Sequence, residues 1–416
     1  MEKRDEKKID DDTKRLIQKL VKKEGLERAL KKLGIEEGIM KGEKKKINYG
    51  DFELLKTLVG SGHILSVIET KCGNLFSISF EHDDHILKIW NPKTGKCIAT
   101  KEGVNSVIET KSGNLVSANK DNTIKIWDPN TGECIKTMKG HTDEVNSVIE
   151  TKSGLLVSAS DDHRIKIWNP NTGKCIKTIV QDEDFWSEPV IGETKSGNLI
   201  LRCIDEVKIL DPNTGKYIAM RGYVKSVKIT KSGLLALNRG TEAEIWNPDT
   251  GQSVKRILTI NPIISSHDTI SLLRETKSGK IIIGNIYDGE IYVYDPNTGE
   301  RISLEGHTDS VWSVIETNSG KLVSTSKDKT IKIWNLKTRK YISMQASVNS
   351  VIETKSGFLV SANEDNTIKI WDPNTGECIK TLKGHTAPVN SVIETKSGLL
   401  VSASDDHTIK IWGEKQ

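Results

Sequence analysis

His141, Ser158 or Ser160, and Asp162 fall within one short stretch, and these are the residue types of a nucleophilic hydrolase, in which a histidine held by a carboxylate takes the serine proton. The set returns as His307 with Asp328 and as His385 with Asp406. Each copy runs on, six residues after the aspartate, to a tryptophan: Trp168, Trp334 and Trp412. Tryptophan has no part in acyl transfer, no nucleophile elbow precedes the serines, and a trio that recurs reads as a building device. The cysteines give a second candidate chemistry. Cys97, Cys134, Cys175 and Cys378 recur at one position of a repeating pattern. Zinc ligands would need close spacing, so small core fillers are the expectation. No phosphate loop and no unique acid/base pair stands in the chain, so neither a cofactor nor a metal is expected.

The elements that must hold these residues are legible in Val145 to Thr178, which recurs almost letter for letter as Val389 to Trp412 and with drift every 40 residues or so. Val157 to Ser160 and Ile165 to Trp168 alternate at period two, and Ser147 to Thr151 is rich in β formers. Turn formers separate them: Thr-Lys-Ser-Gly ending at Gly154, Asp161-Asp162-His163, and Asn-Pro-Asn-Thr-Gly ending at Gly173. With Cys175 to Thr178 each unit is a four-stranded antiparallel meander, which must stack on its neighbours to bury both faces.

Gly140-His141, Asp162 and Ile167-Trp168 resemble the signature of WD-repeat β-propellers, and the likeness runs from about Asp51 to Trp412. The resemblance implies an all-β propeller. It also implies a buried hydrogen-bonded tetrad per blade: His141, Ser158 or Ser160, Asp162 and Trp168, and likewise His307, Asp328, Trp334 and His385, Asp406, Trp412. His63 stands too close to its strand for that role, units two and eight have Asp121 and Asp365 without a histidine, and units four and five have Ile204 and Gly240 in the aspartate's place. Looser blades are expected there.

Counting by the Ile-Trp position gives Trp90, Trp127, Trp168, Leu210, Trp246, Tyr294, Trp334, Trp371 and Trp412, hence nine blades, or eight if unit four or five fails to form. The approach to the first strand is short before units two, five and eight, as if a triplet of blades had been copied three times. Unit nine ends without an outer strand, whereas Leu54 to Leu58 resembles Cys378 to Leu382 and has no unit of its own. The expected domains are therefore a charged helical arm over residues 1–48 and a propeller over 49–416, closed by strand 51–58 pairing with the last blade.

The arm carries 16 Lys/Arg against 11 Asp/Glu up to Ile47, leaving 45 basic against 46 acidic residues for the rest. A nucleic-acid role is not expected of so balanced a propeller. The arm reads as a docking or self-association element, or an adaptor for other machinery, or a solvated tail, on a monomeric propeller. No apolar run long enough for a membrane span and no signal sequence is seen, so the cytoplasm is the expected compartment.

One further series is regular. Glu69, Glu109, Glu150, Glu193, Glu275, Glu316, Glu353 and Glu394 share a position late in the innermost strand. They could gather a cation near the channel, but solvation or pairing with lysines such as Lys125 or Lys166 is the reading preferred here. Unit five agrees, since Ile229 and Glu244 replace the pair together. The positions that vary lie before the turn aspartate and before the inner-strand Ser-Val, which in propellers of this family open onto one rim. Phe185, Trp186, Tyr223, Tyr287 and Trp312, edged by Lys225, Arg239 and Lys327, form the expected patch for a protein or peptide partner. A non-enzymatic interaction scaffold is the function expected; the alternative is a small ligand or ion in the central channel.

Overall fold

The computed structural model describes residues 47–81, 84–180, 190–202, 206–221, 224–240, 242–258, 270–285 and 289–415. Among these residues lie nine four-stranded antiparallel sheets. Blade 3 shows the plan: Val145–Glu150 is innermost, then Leu156–Ser160, Arg164–Trp168 and the outer strand Cys175–Val180. Blades 4 and 5, the two furthest from the repeat, are also complete. They comprise Val190–Glu193, Leu199–Arg202, Glu206–Leu210 and Tyr217–Arg221, and Ser226–Ile229, Leu235–Asn238, Glu242–Asn247 and Gln252–Leu258. Nine blades form, not eight, because the apolar residues of the central strands stay buried in both where the polar signature does not survive.

The core lies between blades. Val157, Ala159, Ile165 and Ile167 of blade 3 pack with Leu199, Leu201 and Leu210 of blade 4. The second strands carry the burial, with all five residues of Leu156–Ser160 buried, because a blade's central strands have a neighbour on each face. The outer strands have one exposed edge. There the described cysteines, Cys72 in a turn and Cys97, Cys134, Cys175 and Cys378 on outer strands, are free and exposed, which corrects the expectation of core fillers. The reason is register: a bulge between Ile167 and Trp168 sets Cys175 opposite Trp168 at the start of the strand, outside the packed layer.

Blade 9 consists of Val389–Glu394, Leu400–Ser404 and Thr408–Glu414, and its outer strand is Phe52–Val59, paired antiparallel so that Leu54 faces Trp412 and Leu58 faces Ile409. Leu58 is buried to 1% in a cluster with Ile64 and Val67 of blade 1 and Ile409 of blade 9, so one strand completes the last blade and seals it to the first. The propeller unit is Tyr49–Gln416. The helical arm expected over residues 1–48 falls, except for Ile47 and Asn48, outside the described residues. Among the described residues no helix is long and apolar enough to cross a membrane.

Replacing Leu58 by Ala removes the seal's central side chain and is expected to cost about 2–4 kcal/mol in chemical unfolding, whereas Val59→Ala, at a position 72% exposed, should cost under about 0.5 kcal/mol. Equal costs would contradict closure by this strand.

Candidate interaction surface

In blade 3 the histidine reaches under its loop because Gly140 leaves room: a Cβ there would stand 3.2 Å from the Trp168 ring. His141 Nδ1 lies 2.8 Å from Asp162 Oδ2, and Nε2 lies 2.8 Å from Ser158 Oγ. A carboxylate only accepts, so Nδ1–H donates to Asp162 and Nε2 accepts the Ser158 hydroxyl. Trp168 Nε1 donates to the same Oγ at 2.8 Å, and the Thr142 N–H donates to Asp162 at 3.0 Å. The connectivity is that of a hydrolase triad. Ser158, however, is 0% exposed, and its oxygen already serves His141 and Trp168, so no carbonyl can approach it.

The sets at His307, Ser324, Asp328 and Trp334 and at His385, Ser402, Asp406 and Trp412 repeat these bonds at 2.7–2.9 Å. Burial pushes the three imidazoles below the ordinary histidine range against the pull of their aspartates. Burial alone would raise the Asp406 carboxyl; hydrogen bonds from Thr408, the Thr386 N–H and His385 bring it down to about 2.

Where the histidine is missing the remaining groups find other partners. Trp127 Nε1 still donates to Ser117, and Trp371 Nε1 to Ser361, both at 2.9 Å. Asp121 and Asp365 turn to Lys125 and Lys369, at 2.5 and 2.7 Å. His63 is not built into a tetrad: its side chain is 58% exposed, 3.4 Å from Asp405 of blade 9. In blade 5 Glu244 is fully buried between Arg239 Nε at 2.6 Å and Arg256 Nε at 3.0 Å. Burial opposes its ionisation, yet hydrogen bonding, from Ser253 first, and the two arginines hold its carboxyl at about 2.

The regular glutamates have a use that sequence reasoning missed. In each Thr-Lys-Ser-Gly turn the glycine N–H returns to the threonine carbonyl, as Gly154 does to Thr151 at 3.0 Å with φ +83°, which leaves the lysine N–H pointing outward. That N–H donates to the glutamate of the next blade: Lys71 to Glu109 and Lys152 to Glu193 at 2.6 Å, Lys111 to Glu150 at 2.7 Å. The series continues through Lys231 to Glu275, Lys277 to Glu316, Asn318 to Glu353 and Lys355 to Glu394, and closes from Lys396 to Glu69. The lysine side chain answers, with Lys111 Nζ donating to the carbonyls of Thr151 and Lys152 at 3.0 and 2.8 Å. Pairing of the glutamates with Lys125 or Lys166 does not occur; Lys125 meets Asp121 and Lys166 meets Thr178.

One junction lacks the tie. Blade 5 has Ile229, whose Cδ1 lies 2.3 Å from where a Cβ on Gly192 would be, so blades 4 and 5 meet there by apolar contact. The signal was present in Glu-Thr-Lys, a donor and an acceptor two residues apart on the same turn. Among the described residues no group of three or more His, Cys, Asp or Glu converges as metal ligands.

The two variable series meet at one rim. In seven blades the residue before the inner-strand Ser-Val position sits at a β-bulge, which re-aims its side chain. Asn146 Nδ2 thus donates to Asp161 at 2.8 Å, and Asn390 to Asp405 at 2.7 Å. Several of these asparagines also join blades: Asn105 reaches the Val145 carbonyl, Asn349 that of Val389 and Asn390 that of Ile64. In blade 7 the same pair of positions holds Trp312, 40% exposed, and Lys327, whose side chain is 63% exposed and 3.8 Å from Asp309. Lys225 lies on this rim in blade 5, but the Arg239 guanidinium faces inward to Glu244. Phe185, Trp186, Tyr223 and Tyr287 fall outside the described residues.

Five stretches match the family WD domain, G-beta repeat: residues 95–128, 132–169, 300–335, 339–372 and 376–413. Together with the nine four-stranded blades, these five repeats support the WD-repeat β-propeller family for the chain. Among solved structures it is similar to the crystal structure of the computationally designed Ika8 protein, at 22% identity and a TM-score of 0.56, over 87% of this chain and 99% of that one, a likeness of fold. Comparison with curated proteins finds no match.

The neutral, buried histidines set a pH dependence. Their folded-state pKa values lie below the unfolded ones, so the unfolded chain takes up protons first and stability should fall as pH drops from about 7 toward 5. The paired aspartates add a further loss below about pH 4. Urea midpoints across this range should decline less steeply between pH 7 and 5 for a His141→Gln/His307→Gln/His385→Gln variant than for the wild type. An equal slope would assign the loss to other groups.

Proposed function

We propose that this propeller is a non-enzymatic scaffold that binds a protein or peptide segment on the rim where the bulge and turn positions meet. WD-repeat propellers are typically protein-interaction scaffolds. The observation that carries the reading is the pairing of two side chains per blade on an otherwise constant backbone. Asn–Asp pairs in blades 3 and 9 are satisfied among themselves, whereas blade 7 offers Trp312 and Lys327 to solvent. An exposed tryptophan beside a cation is the kind of anchor that hot spots use, and it suits a segment with an apolar side chain next to a carboxylate. Lys225 extends the same basic side of the rim, and Phe185, Trp186, Tyr223 and Tyr287 complete the proposed patch, from which Arg239, turned inward to Glu244, is withdrawn.

Trp312→Ala and Lys327→Glu should each lower recovery of the cellular partner at least tenfold in affinity capture from the native cell, with the melting temperature within about 2 °C of wild type. Undiminished recovery, or loss that follows melting temperature, would show that these residues serve packing instead.

A further inference from the structure

At the junction of blades 8 and 9 the chain fills a pocket with its own side chain. Tyr49 is 2% exposed, and its hydroxyl donates to Glu394 Oε1 at 3.0 Å and accepts from Ser356 Oγ at 3.2 Å. Its ring stands edge-on to Phe358 at 5.4 Å. Glu394 Oε2 meanwhile takes the Lys355 N–H, so one carboxylate both ties the blades and holds the phenol. Burial pushes the Tyr49 hydroxyl up from its ordinary pKa, which keeps it a donor.

Tyr49 stands where the other blades begin their Asn-Pro-Asn-Thr-Gly turn. Leu54 faces Trp412 as Cys175 faces Trp168, and Lys380 Nζ donates to the Gly50 carbonyl at 2.8 Å as Lys136 Nζ does to that of Asn171. Counting back, Tyr49 takes the place of Pro170 in blade 3 and of Pro212 in blade 4. A proline ring fills less space than a phenol, and at those two junctions the pocket is open.

Between blades 2 and 3 a cavity of about 230 Å³ is lined by Ser112, Ile126, Ile135, Glu150 and Pro170. Between blades 3 and 4 one of about 390 Å³ is lined by Ser153, Ile167, Ile176, Glu193 and Pro212. Ser112 with Glu150, and Ser153 with Glu193, are the counterparts of Ser356 and Glu394 at the Tyr49 hydroxyl. Glu150 Oε2 and Glu193 Oε2 take the N–H groups of Lys111 and Lys152, as Glu394 Oε2 takes that of Lys355, and no hydrogen bond among the described residues reaches either Oε1. Ile135 and Ile176 stand 53% and 56% exposed at the two mouths.

We propose that these two pockets are receptor sites for tyrosine side chains displayed by a partner polypeptide. The phenol hydroxyl donates to the free oxygen of Glu150 or Glu193 and lies beside Ser112 or Ser153, while the ring covers the isoleucines. Tyr49 in its own pocket is the template for the pose. A carboxylate at the base also sets specificity, because a phosphorylated tyrosine would bring its dianion against Glu150 or Glu193. These sites are separate from the Trp312 rim and do not depend on it.

The test uses the full chain and a capped peptide with the chain's own Asn-Tyr-Gly-Asp-Phe order, titrated calorimetrically and by NMR. Two peptides should bind per chain. Pro170→Tyr, which fills one pocket from within, should leave one, and Pro170→Tyr/Pro212→Tyr none. Should those variants not fold, Ile135→Glu/Ile176→Glu, at exposed positions, should weaken binding at least tenfold with an unchanged melting temperature. Replacing the peptide's tyrosine by phenylalanine should weaken binding at least fivefold, and phosphorylating it should abolish binding. No binding at millimolar peptide, binding indifferent to the filling and mouth variants alike, or preference for the phosphopeptide would overturn the proposal. Binding of 4-methylphenol without binding of the peptide would overturn the assignment to a polypeptide.

Discussion

A blade of this propeller cannot bury both of its faces alone, and the interaction that joins it to the next is a carboxylate accepting a turn N–H across the junction. The glutamate late in one inner strand takes the lysine N–H of the preceding blade's turn, and the lysine side chain returns to that next blade's turn carbonyls. Eight of the nine junctions carry this carboxylate, the closing one included, where Lys396 donates to Glu69 at 2.6 Å. Hydrogen bonds to a charged acceptor are stronger than neutral ones and directional, so the ties set the angle between blades as well as joining them. Apolar packing between second and third strands then fills the space so fixed. The exception is the junction of blades 4 and 5, where Ile229 rests on Gly192.

Polar groups inside a blade serve a different end. The Trp–Ser–His–Asp chain holds the loop before the inner strand onto the sheet through buried groups that are mutually satisfied, three times over. It has a hydrolase's connectivity and lacks a hydrolase's access. By fixing that loop it also fixes the rim beside it, so that the bulge residue and the residue before the turn aspartate face one another. Side chains there differ from blade to blade on a constant backbone, as Asn146 with Asp161 against Trp312 with Lys327 illustrates. A rigid frame with interchangeable rim residues suits recognition of other proteins.

Much of this was legible in the amino-acid order because a repeat prints its own averages. The blade count followed from the nine Ile-Trp positions, and blades 4 and 5 kept their buried central strands after losing their polar signature. What stayed hidden depended on neighbours in space. Glu150 looks like a solvated strand residue until Lys111 of the adjacent blade supplies an N–H, and Asn105 looks like a rim residue until Val145 supplies a carbonyl. Cys175 sits in an apolar-looking strand, but a bulge opposite Trp168 leaves it outside the packed layer. Tyr49 precedes every repeat in sequence and belongs to none, and only the closure of blade 9 shows that it fills a pocket the repeats leave open.

The direct measure of the central claim is native-state amide hydrogen exchange, resolved by residue, at the turn lysines. The N–H groups of Lys71, Lys111, Lys152, Lys355 and Lys396 each donate to a glutamate of the next blade, whereas the N–H of Lys195 has no such acceptor, because blade 5 carries Ile229 in the glutamate's place. The account predicts that Lys195 exchanges at least about tenfold faster than the other five, and that Glu150→Gln accelerates exchange at Lys111 alone. Equal protection at all six lysines, or no change at Lys111 in the variant, would contradict it.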